Sequence, residues 1–174
     1  MFKEDMGTLW HEECGVYGVY SHDEDVTMLT YLGLYALQHR GQESAGIAVT
    51  DGAWMDVTRG MGLVNEVFRH QVPHMENQCI AIGHVRYSTT GSSLLANTQP
   101  LMVNYSGGKI AFAHNGNLTN ATGLRKHLEE QGTTFQTTID SEVIVNLVAR
   151  SREDTVEERI LDSLRQVKGA YCLT

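Results

Sequence analysis

Short apolar segments bounded by turn residues are the feature that most constrains the fold of this 174-residue chain. Two pairs of these segments are joined by Asp51-Gly52 and by residues 106–108, and both connections are typical of β-hairpins. The 17 glycines outnumber the 2 prolines, and several stand beside polar residues, where glycine permits close backbone approach. The segments that predict strands are residues 15–20, 45–50, 53–59, 79–86, 101–105 and 109–114.

Helical periodicity predicts most of the remaining elements. In residues 26–39, Met28, Leu32 and Tyr35 recur at helical spacing, which predicts a helix packed on a sheet. Either Thr138 or Asp140 is positioned to cap the helix that begins at residue 141. The segments that predict helices are residues 26–39, 63–69, 120–131, 141–150 and 155–166.

The grouping of strands and helices predicts an α+β fold in which sheet packs on sheet with helices outside. A last strand begins at residues 169–174 and reaches the end of the sequence. Because domains rarely end inside a buried strand, we expect the chain to be part of a longer protein and its domain to be incomplete.

The composition excludes several classes of protein. The chain has 13 Lys and Arg against 21 Asp and Glu, a net charge of −8, which argues against nucleic acid as a partner. No apolar run approaches the roughly 20 residues of a membrane span, and residues 1–13 lack the apolar region of a secretory signal. The three cysteines show no paired spacing for a disulfide framework or a zinc site. We therefore expect a cytoplasmic protein.

Cys14 directly precedes the first predicted strand and is the first candidate for chemistry. A catalytic thiol needs a general base and an oxyanion hole. If residues 1–13 were removed, Cys14 would carry a free α-amine, whose pKa of roughly 7.7–8.0 suits a general base near neutrality. The simpler interpretation is a small buried side chain, the usual role of a lone cysteine.

Four further residues have both a functional and a structural interpretation. Asn115 and Gly116 could donate two hydrogen bonds to an oxyanion, or they could form a turn. Arg86, at the end of a strand, could bind a carboxylate or lie on the surface. Asp140 could bind an ammonium group or cap a helix. Taken together, these groups suit a free α-amino acid that carries an amide.

Five motifs occur in the order found in one enzyme family. Through them, residues 14–174 resemble the amidophosphoribosyltransferases, the glutamine-dependent enzymes that begin purine synthesis. The motifs are CGVYG at 14–18, LQHRGQESAG at 37–46, GHVRYSTTG at 83–91, AHNGNLTNA at 113–121 and the stretch 138–142.

The resemblance implies a fold and a set of roles. The fold is the αββα four-layer sandwich of the N-terminal nucleophile hydrolases. Cys14 is then the nucleophile that forms a γ-glutamyl thioester, and its freed α-amine carries the proton. Asn115 and Gly116 would form the oxyanion hole. Arg86 and Thr89 would bind the substrate carboxylate, and Asp140 would bind the substrate amine. Gly41 would line the nucleophile pocket, with Arg40 beside it.

The resemblance also implies a domain organisation. Residues 1–13 would be a propeptide removed at the Glu13–Cys14 bond, and residues 14–174 an incomplete glutaminase domain. Attack by the Cys14 thiol itself is our hypothesis for this cleavage. Ammonia would pass to a phosphoribosyltransferase domain absent from this sequence, where it converts 5-phosphoribosyl-1-pyrophosphate to 5-phosphoribosylamine. We expect no cofactor in this segment, although the family uses magnesium and some members hold an iron–sulfur cluster. The whole protein is expected to form homo-oligomers.

Two other interpretations belong to different families or classes. A hexosamine-forming amidotransferase of the same fold usually has a Tyr-Arg-Gly-Tyr-Asp pattern where this chain has residues 39–43, and it lacks a leader. A non-catalytic binding module would use Cys14 only for packing, and it would predict no leader removal and no selective alkylation of this thiol.

Overall fold

The computed structural model describes residues 14–87 and 94–174. The first part contains β1 (Gly15–Tyr20), α1 (Val26–Ala36), β2 (Ser44–Thr50), β3 (Met55–Met61), α2 (Val64–Val67) and β4 (Ile80–Arg86). The second part contains β5 (Leu101–Tyr105), β6 (Gly108–Phe112), β7 (His114–Leu118), α3 (Ala121–Glu130), α4 (Glu142–Arg150), α5 (Val156–Gln166) and β8 (Gly169–Leu173). Single 3₁₀ turns lie at Gln38–Arg40 and Leu95–Asn97.

The first part folds into a four-stranded antiparallel sheet with the strand order β1-β4-β2-β3. The predicted hairpin joins β2 to β3, and the Asp51 carboxylate accepts hydrogen bonds from the backbone N–H groups of Ala53 and Trp54. Central strand β4 pairs with β1 from Gly15 opposite Val85 onward. The start of β1 and the end of β4 therefore lie side by side, which brings Cys14 to the strand end that carries Arg86.

Helix α1 covers one face of this sheet, but not with the face that apolar spacing predicts. Met28, Leu32 and Tyr35 are 50%, 54% and 58% exposed. The buried face is instead built from small and β-branched residues with one leucine: Val26, Thr27, Thr30 and Leu34. This face is narrow because the helix lies close to the sheet: a Cβ on Gly83 of β4 would lie 2.7 Å from Thr30 Cγ2.

The second part contains two β-ribbons and three helices. Strands β5 and β6 form the second predicted hairpin, and β8 pairs with β7. Residues 114–118 are thus a strand in their own right, and the prediction that they form only a strand end and a turn is wrong. Gly116 makes this pairing possible, because its φ of 141° and the 2.2 Å approach of Ala170 O to an ideal Cβ both exclude a side chain. Helices α3, α4 and α5 pack around a core that includes Leu118, Leu128 and Val148.

The face of β4 opposite α1 contacts the second part. His84 Nε2 lies 3.1 Å from His114 O on β7. Ile82 of β4 and Ala111 of β6 line a cavity of about 70 Å³ between the two parts, and Gly18 of β1 faces Thr174 after β8. The four-stranded sheet therefore has a helix on one face and β-strands on the other.

The start of α4 corrects a second prediction. Its N-cap is Ser141, whose side chain makes no capping hydrogen bond, and neither Thr138 nor Asp140 caps the helix. The Asp140 carboxylate accepts hydrogen bonds from Leu118 N at 2.9 Å and from Ser141 N at 2.8 Å. Asp140 therefore links the segment before α4 to β7. Within the described ranges, no helix is long and apolar enough to cross a membrane.

Candidate active site

A cavity of about 240 Å³ opens where the ends of β1 and β4 meet β7 and the segment before α4. It brings together Cys14, Arg86, Gly116 and Asp140, which lie far apart in the sequence. The other lining residues are Tyr87, Gln99, His114, Asn117, Leu118, Ala121, Thr122, Thr138 and Ile139. The cavity thus combines a thiol, a cation, a carboxylate and backbone N–H groups of a strand.

Cys14 lies at the mouth of β1 and is partly exposed. Its Sγ is 3.4 Å from Tyr87 N, which donates to it, and 3.6 Å from Tyr87 O, to which the thiol donates. Its carbonyl oxygen accepts a hydrogen bond from Arg40 Nε at 3.3 Å.

Arg86 is buried at the end of β4, and its Nη1 lies 3.5 Å from Glu43 Oε1. Glu43 is held in place by its own backbone N–H, which donates to Arg86 O at 3.0 Å. The planar guanidinium group of Arg86 lines the cavity, and a guanidinium is suited to binding a carboxylate. Burial of a charge is expensive unless it is paired, and Glu43 supplies that pairing.

The motif at residues 37–46 supports the site from behind. Gly41 does not line the cavity, but a Cβ there would lie 2.7 Å from the backbone carbons of Val85 and Arg86. Only glycine therefore lets this loop pass so close to the end of β4. Gln38 donates to Gly41 O and accepts a hydrogen bond from Val64 N at 2.7 Å, which ties the loop to α2. Arg40 likewise contacts Cys14 from outside the cavity wall.

Asp140 faces the cavity and contacts a histidine that the sequence interpretation did not select. His114 Nδ1 lies 3.7 Å from Asp140 Oδ1, and His114 itself is buried. Burial lowers the pKa of His114, while Asp140 acts in the opposite direction. A neutral imidazole does not compete with an ammonium group for the Asp140 carboxylate.

His84, in the GHVRYSTTG motif, is a structural residue beneath the site. It is completely buried, and burial lowers its pKa from 6.5 to about 3. The hydrogen bond to the His114 backbone acts against this shift, whereas the charges of the His114 and Arg86 side chains add to it. The neutral ring bridges β4 and β7 through His114 O. Within the GHVRYSTTG motif, His84 therefore holds the two parts of the fold together.

The two predicted oxyanion donors differ in position. Gly116 lines the cavity, whereas Asn115 lies opposite Cys172 in the β7–β8 register and is not among the lining residues. Asn117, which the sequence interpretation passed over, does line the cavity. Thr89 and Glu13 lie outside the described residues, so their predicted roles remain predictions.

Buried amide side chains are the functional feature that sequence reasoning missed. Asn97 and Gln99 are buried beside the cavity and hydrogen-bond to Thr138 and His114. Glu142 is also buried, and it accepts hydrogen bonds from Gln136 N at 2.8 Å and from Thr137 N at 2.9 Å. The available signal was the cluster of polar residues at 97–99 directly before an apolar strand.

The described residues contain no group of three or more His, Cys, Asp and Glu side chains placed to hold a metal ion. Cys79 precedes β4 and is buried, while Cys172 on β8 is exposed.

Comparison with known proteins identifies the family. Residues 84–174, just over half of the chain, match the glutamine amidotransferase domain family. The amidophosphoribosyltransferase of Bacillus subtilis (strain 168) is 48% identical over 162 residues, which cover 92% of this chain and 34% of that protein. The amidophosphoribosyltransferase of Staphylococcus aureus (strain MRSA252) is 45% identical over 162 residues, covering 92% of this chain and 33% of that protein.

Solved structures agree with the sequence comparison. A structure described as the allosteric regulatory enzyme of purine biosynthesis superposes with a TM-score of 0.82 at 45% identity, covering 91% of this chain and 34% of that one. The glutamine phosphoribosylpyrophosphate amidotransferase from B. subtilis, complexed with ADP and GMP, has a TM-score of 0.80 at 45% identity, with the same coverage. The chain spans about one third of the length of these relatives. It belongs to the glutamine amidotransferase domain family and, within it, is similar to the amidophosphoribosyltransferases.

Proposed function

We propose that this chain hydrolyses the side-chain amide of L-glutamine through a thioester on Cys14. The observation that carries the proposal is the single cavity that Cys14 shares with Arg86, Gly116 and Asp140. To bind and hydrolyse an amino acid amide, a site needs a thiol, a cation for the carboxylate, an anion for the ammonium and a backbone donor for the oxyanion. The similarity to glutamine-dependent enzymes supports the same assignment.

The reaction has two steps. A base takes the proton of the thiol, and sulfur attacks the amide carbon, so that the carbonyl electron pair moves to oxygen. The C–N bond then breaks, the nitrogen leaves with the transferred proton as ammonia, and a γ-glutamyl thioester remains. Water attacks the thioester, which releases glutamate and restores the thiol. Donors aimed at the transient oxyanion lower both barriers.

Each end of the substrate has a proposed partner. Arg86 binds the α-carboxylate, assisted by Thr89, and Asp140 binds the α-ammonium. Gly116 N and the Asn115 side chain hold the oxyanion. For Asn115 this role requires the amide to turn toward Cys14 when substrate binds, because catalytic hydrogen bonds often form only in the complex.

The base is proposed to be the α-amine of Cys14, exposed by cleavage of the Glu13–Cys14 bond. The Cys14 carbonyl is anchored by Arg40 Nε, which would hold the new terminus in place. The proposed route of cleavage begins with attack of the Cys14 thiol on the Glu13 carbonyl, which breaks the Glu13–Cys14 peptide bond, frees the α-amine and leaves a thioester. Water then hydrolyses the thioester, which releases residues 1–13 and restores the thiol. A Cys14→Ala protein that still lost residues 1–13 without added protease would contradict this route.

At the level of the whole protein, we propose amidophosphoribosyltransferase activity, the first committed step of purine synthesis. Ammonia displaces pyrophosphate from 5-phosphoribosyl-1-pyrophosphate in a second domain and gives 5-phosphoribosylamine. We further propose that the protein is a cytoplasmic homo-oligomer. We also propose the αββα sandwich of the N-terminal nucleophile fold, since β4 contacts a helix on one face and strands on the other.

The decisive test is the intact mass of the full chain before and after incubation with a glutamine analogue that carries an electrophilic carbon in place of the amide. We expect loss of residues 1–13 and a single adduct on Cys14. The exposed Cys172 is an internal control, because nonselective alkylation would modify it as well. Cys14→Ala should abolish glutamate release. Glutamate release that persisted in this variant would overturn the thioester mechanism.

A further inference from the structure

We propose that Asn97 and Gln99 are positioning residues that set the distance between the two ends of the glutamine site. The proposal rests on the proposed function, because it concerns the spacing between Asp140 and the oxyanion donors. Neither residue is given a role in the reaction itself. Both belong to the segment 97–100, which we term the strap.

The strap is buried between the two parts of the fold. Asn97 and Thr98 are 0% exposed and Gln99 is 5% exposed. An ideal Cβ on Gly46 of β2 would lie 2.1 Å from Gln99 O, so β2 makes room for the strap only by having glycine there. Arg59 of β3 donates from Nη1 to Thr98 O at 2.7 Å. The strap is therefore held by the four-stranded sheet.

Asn97 attaches the strap to the wall of the cavity that carries Asp140. Its Nδ2 donates to Thr138 Oγ1 at 2.8 Å, and its Oδ1 accepts from Thr138 N at 3.0 Å. Thr138 lies two residues before Asp140, and both line the cavity. A pair of hydrogen bonds from one buried amide fixes the orientation of this wall as well as its position.

Gln99 attaches the strap to the start of β7. Its Oε1 accepts a hydrogen bond from His114 N at 2.7 Å. His114 directly precedes the predicted oxyanion donors Asn115 and Gly116 on β7. An unsatisfied buried N–H is costly, so loss of this acceptor forces the start of β7 to shift or to admit water.

The two attachments lie two positions apart in the strap, and they reach two different segments of the cavity lining, the one that carries Asp140 and the start of β7. The strap thus acts as a spacer between the binding point for the α-ammonium and the point where the amide oxygen becomes an anion. The γ-amide of glutamine and the β-amide of asparagine differ in reach by one methylene, so the relative position of these two points affects which of them the cavity accepts. The geometry therefore assigns part of the selectivity for glutamine to residues that act by positioning other groups of the cavity.

The first experiment measures glutamate release by the full chain with Asn97→Ala, Gln99→Met and Thr98→Val. We expect Asn97→Ala to raise the KM for glutamine about tenfold with a smaller change in kcat, since the loss of two buried hydrogen bonds loosens the Asp140 wall. We expect Gln99→Met to lower kcat about tenfold with a smaller change in KM. Thr98→Val is the matched control, because the Thr98 hydroxyl donates to Leu95 O and to neither of the two segments that the strap connects.

Amide hydrogen exchange in the same variants gives a readout that does not depend on activity. Asn97→Ala should accelerate exchange at Thr138 and Leu118, and Gln99→Met at His114, while Thr98→Val should change none of these. If exchange changes as expected but the wild type releases no glutamate, the strap stands and the proposed function fails. If Thr98→Val matches the other two variants, or if KM and kcat change together in all three, the positioning role is wrong.

Discussion

The two faces of the four-stranded sheet have opposite chemistry. Toward α1, strand β4 presents Ala81, Gly83 and Val85 to a buried apolar cluster. Toward the second part of the fold, it presents His84 and Arg86, both buried and both with polar partners. Alternation of side chains along a strand separates the two sets cleanly.

The difference shows where stability and function are located in this domain. The helix-covered face gains free energy by removing apolar surface from water. The opposite face buries a histidine and an arginine, which is costly unless their partners are in place. We therefore expect substitutions on the helix side to change stability without changing the site, and substitutions on the cavity side to change the site or its pH dependence.

The largest expected effect is on the helix side. Leu34 of α1 is fully buried, and Leu34→Ala should lower the free energy of unfolding by about 3 kcal/mol, because it removes buried methyl groups and leaves a cavity. The KM for glutamine should stay unchanged when it is measured under conditions well short of the midpoint of the unfolding transition, where the variant is folded. Denaturant titration and glutaminase kinetics test the two halves of this prediction. A changed KM in a folded variant would break the separation between the faces.

The second prediction concerns pH on the cavity side. Burial lowers the pKa of His84 to about 3 from 6.5, so the unfolded chain takes up a proton first as the pH falls. The stability from this residue is complete above about pH 6.5 and is lost progressively toward about pH 3, with a slope near 1.4 kcal/mol per pH unit.

His84→Gln keeps an uncharged donor and should flatten that slope. Denaturant titrations between pH 4 and pH 7 measure it, and the exposed His70→Gln is the control. Equal slopes in the wild type and in His84→Gln would show that His84 is protonated in the folded state. The claim that the cavity side contains a buried neutral histidine would then be wrong.

The third prediction sharpens the role of Asp140. Asp140→Asn keeps an acceptor for one of the two backbone N–H groups it now binds, but it removes the charge that would pair with an ammonium. The KM for glutamine should rise about tenfold, in keeping with the loss of one charge-assisted hydrogen bond. Asp162→Asn is the control, because it changes a carboxylate on α5 that accepts a hydrogen bond from Ser151 Oγ. An unchanged KM would remove Asp140 from the substrate site.

The smallest expected effect comes from the same helix as the largest and serves as its control. Leu32 is more than half exposed, so Leu32→Ala should change the free energy of unfolding by less than about 0.5 kcal/mol. The pair Leu32→Ala and Leu34→Ala uses one residue type two positions apart. A large loss of stability from Leu32→Ala alone would mean that the apolar spacing in the sequence had identified the packing face after all.

The sequence predicted most elements because their signals are local. Hairpin turns, helical spacing and apolar runs place the strands and helices within a few residues of their observed bounds. The packing face of α1 was wrong because periodicity counts apolar residues, whereas a helix lying close to a sheet buries small ones such as Thr30. Strand β7 was missed because Asn-Gly is typical of turns, and only pairing with β8 makes those residues a strand.

The sequence by itself determined the inventory of chemistry: a thiol before a strand, an arginine after one, an Asn-Gly pair and an aspartate before a helix. The order of the five motifs along the sequence was also enough to recognise the family resemblance. Only the tertiary structure decided which groups share a cavity, that Glu43 pairs with Arg86, and that Asp140 bonds to β7 instead of capping α4. The physical reason is that hydrogen bonds and burial between distant segments depend on distances that sequence spacing does not encode.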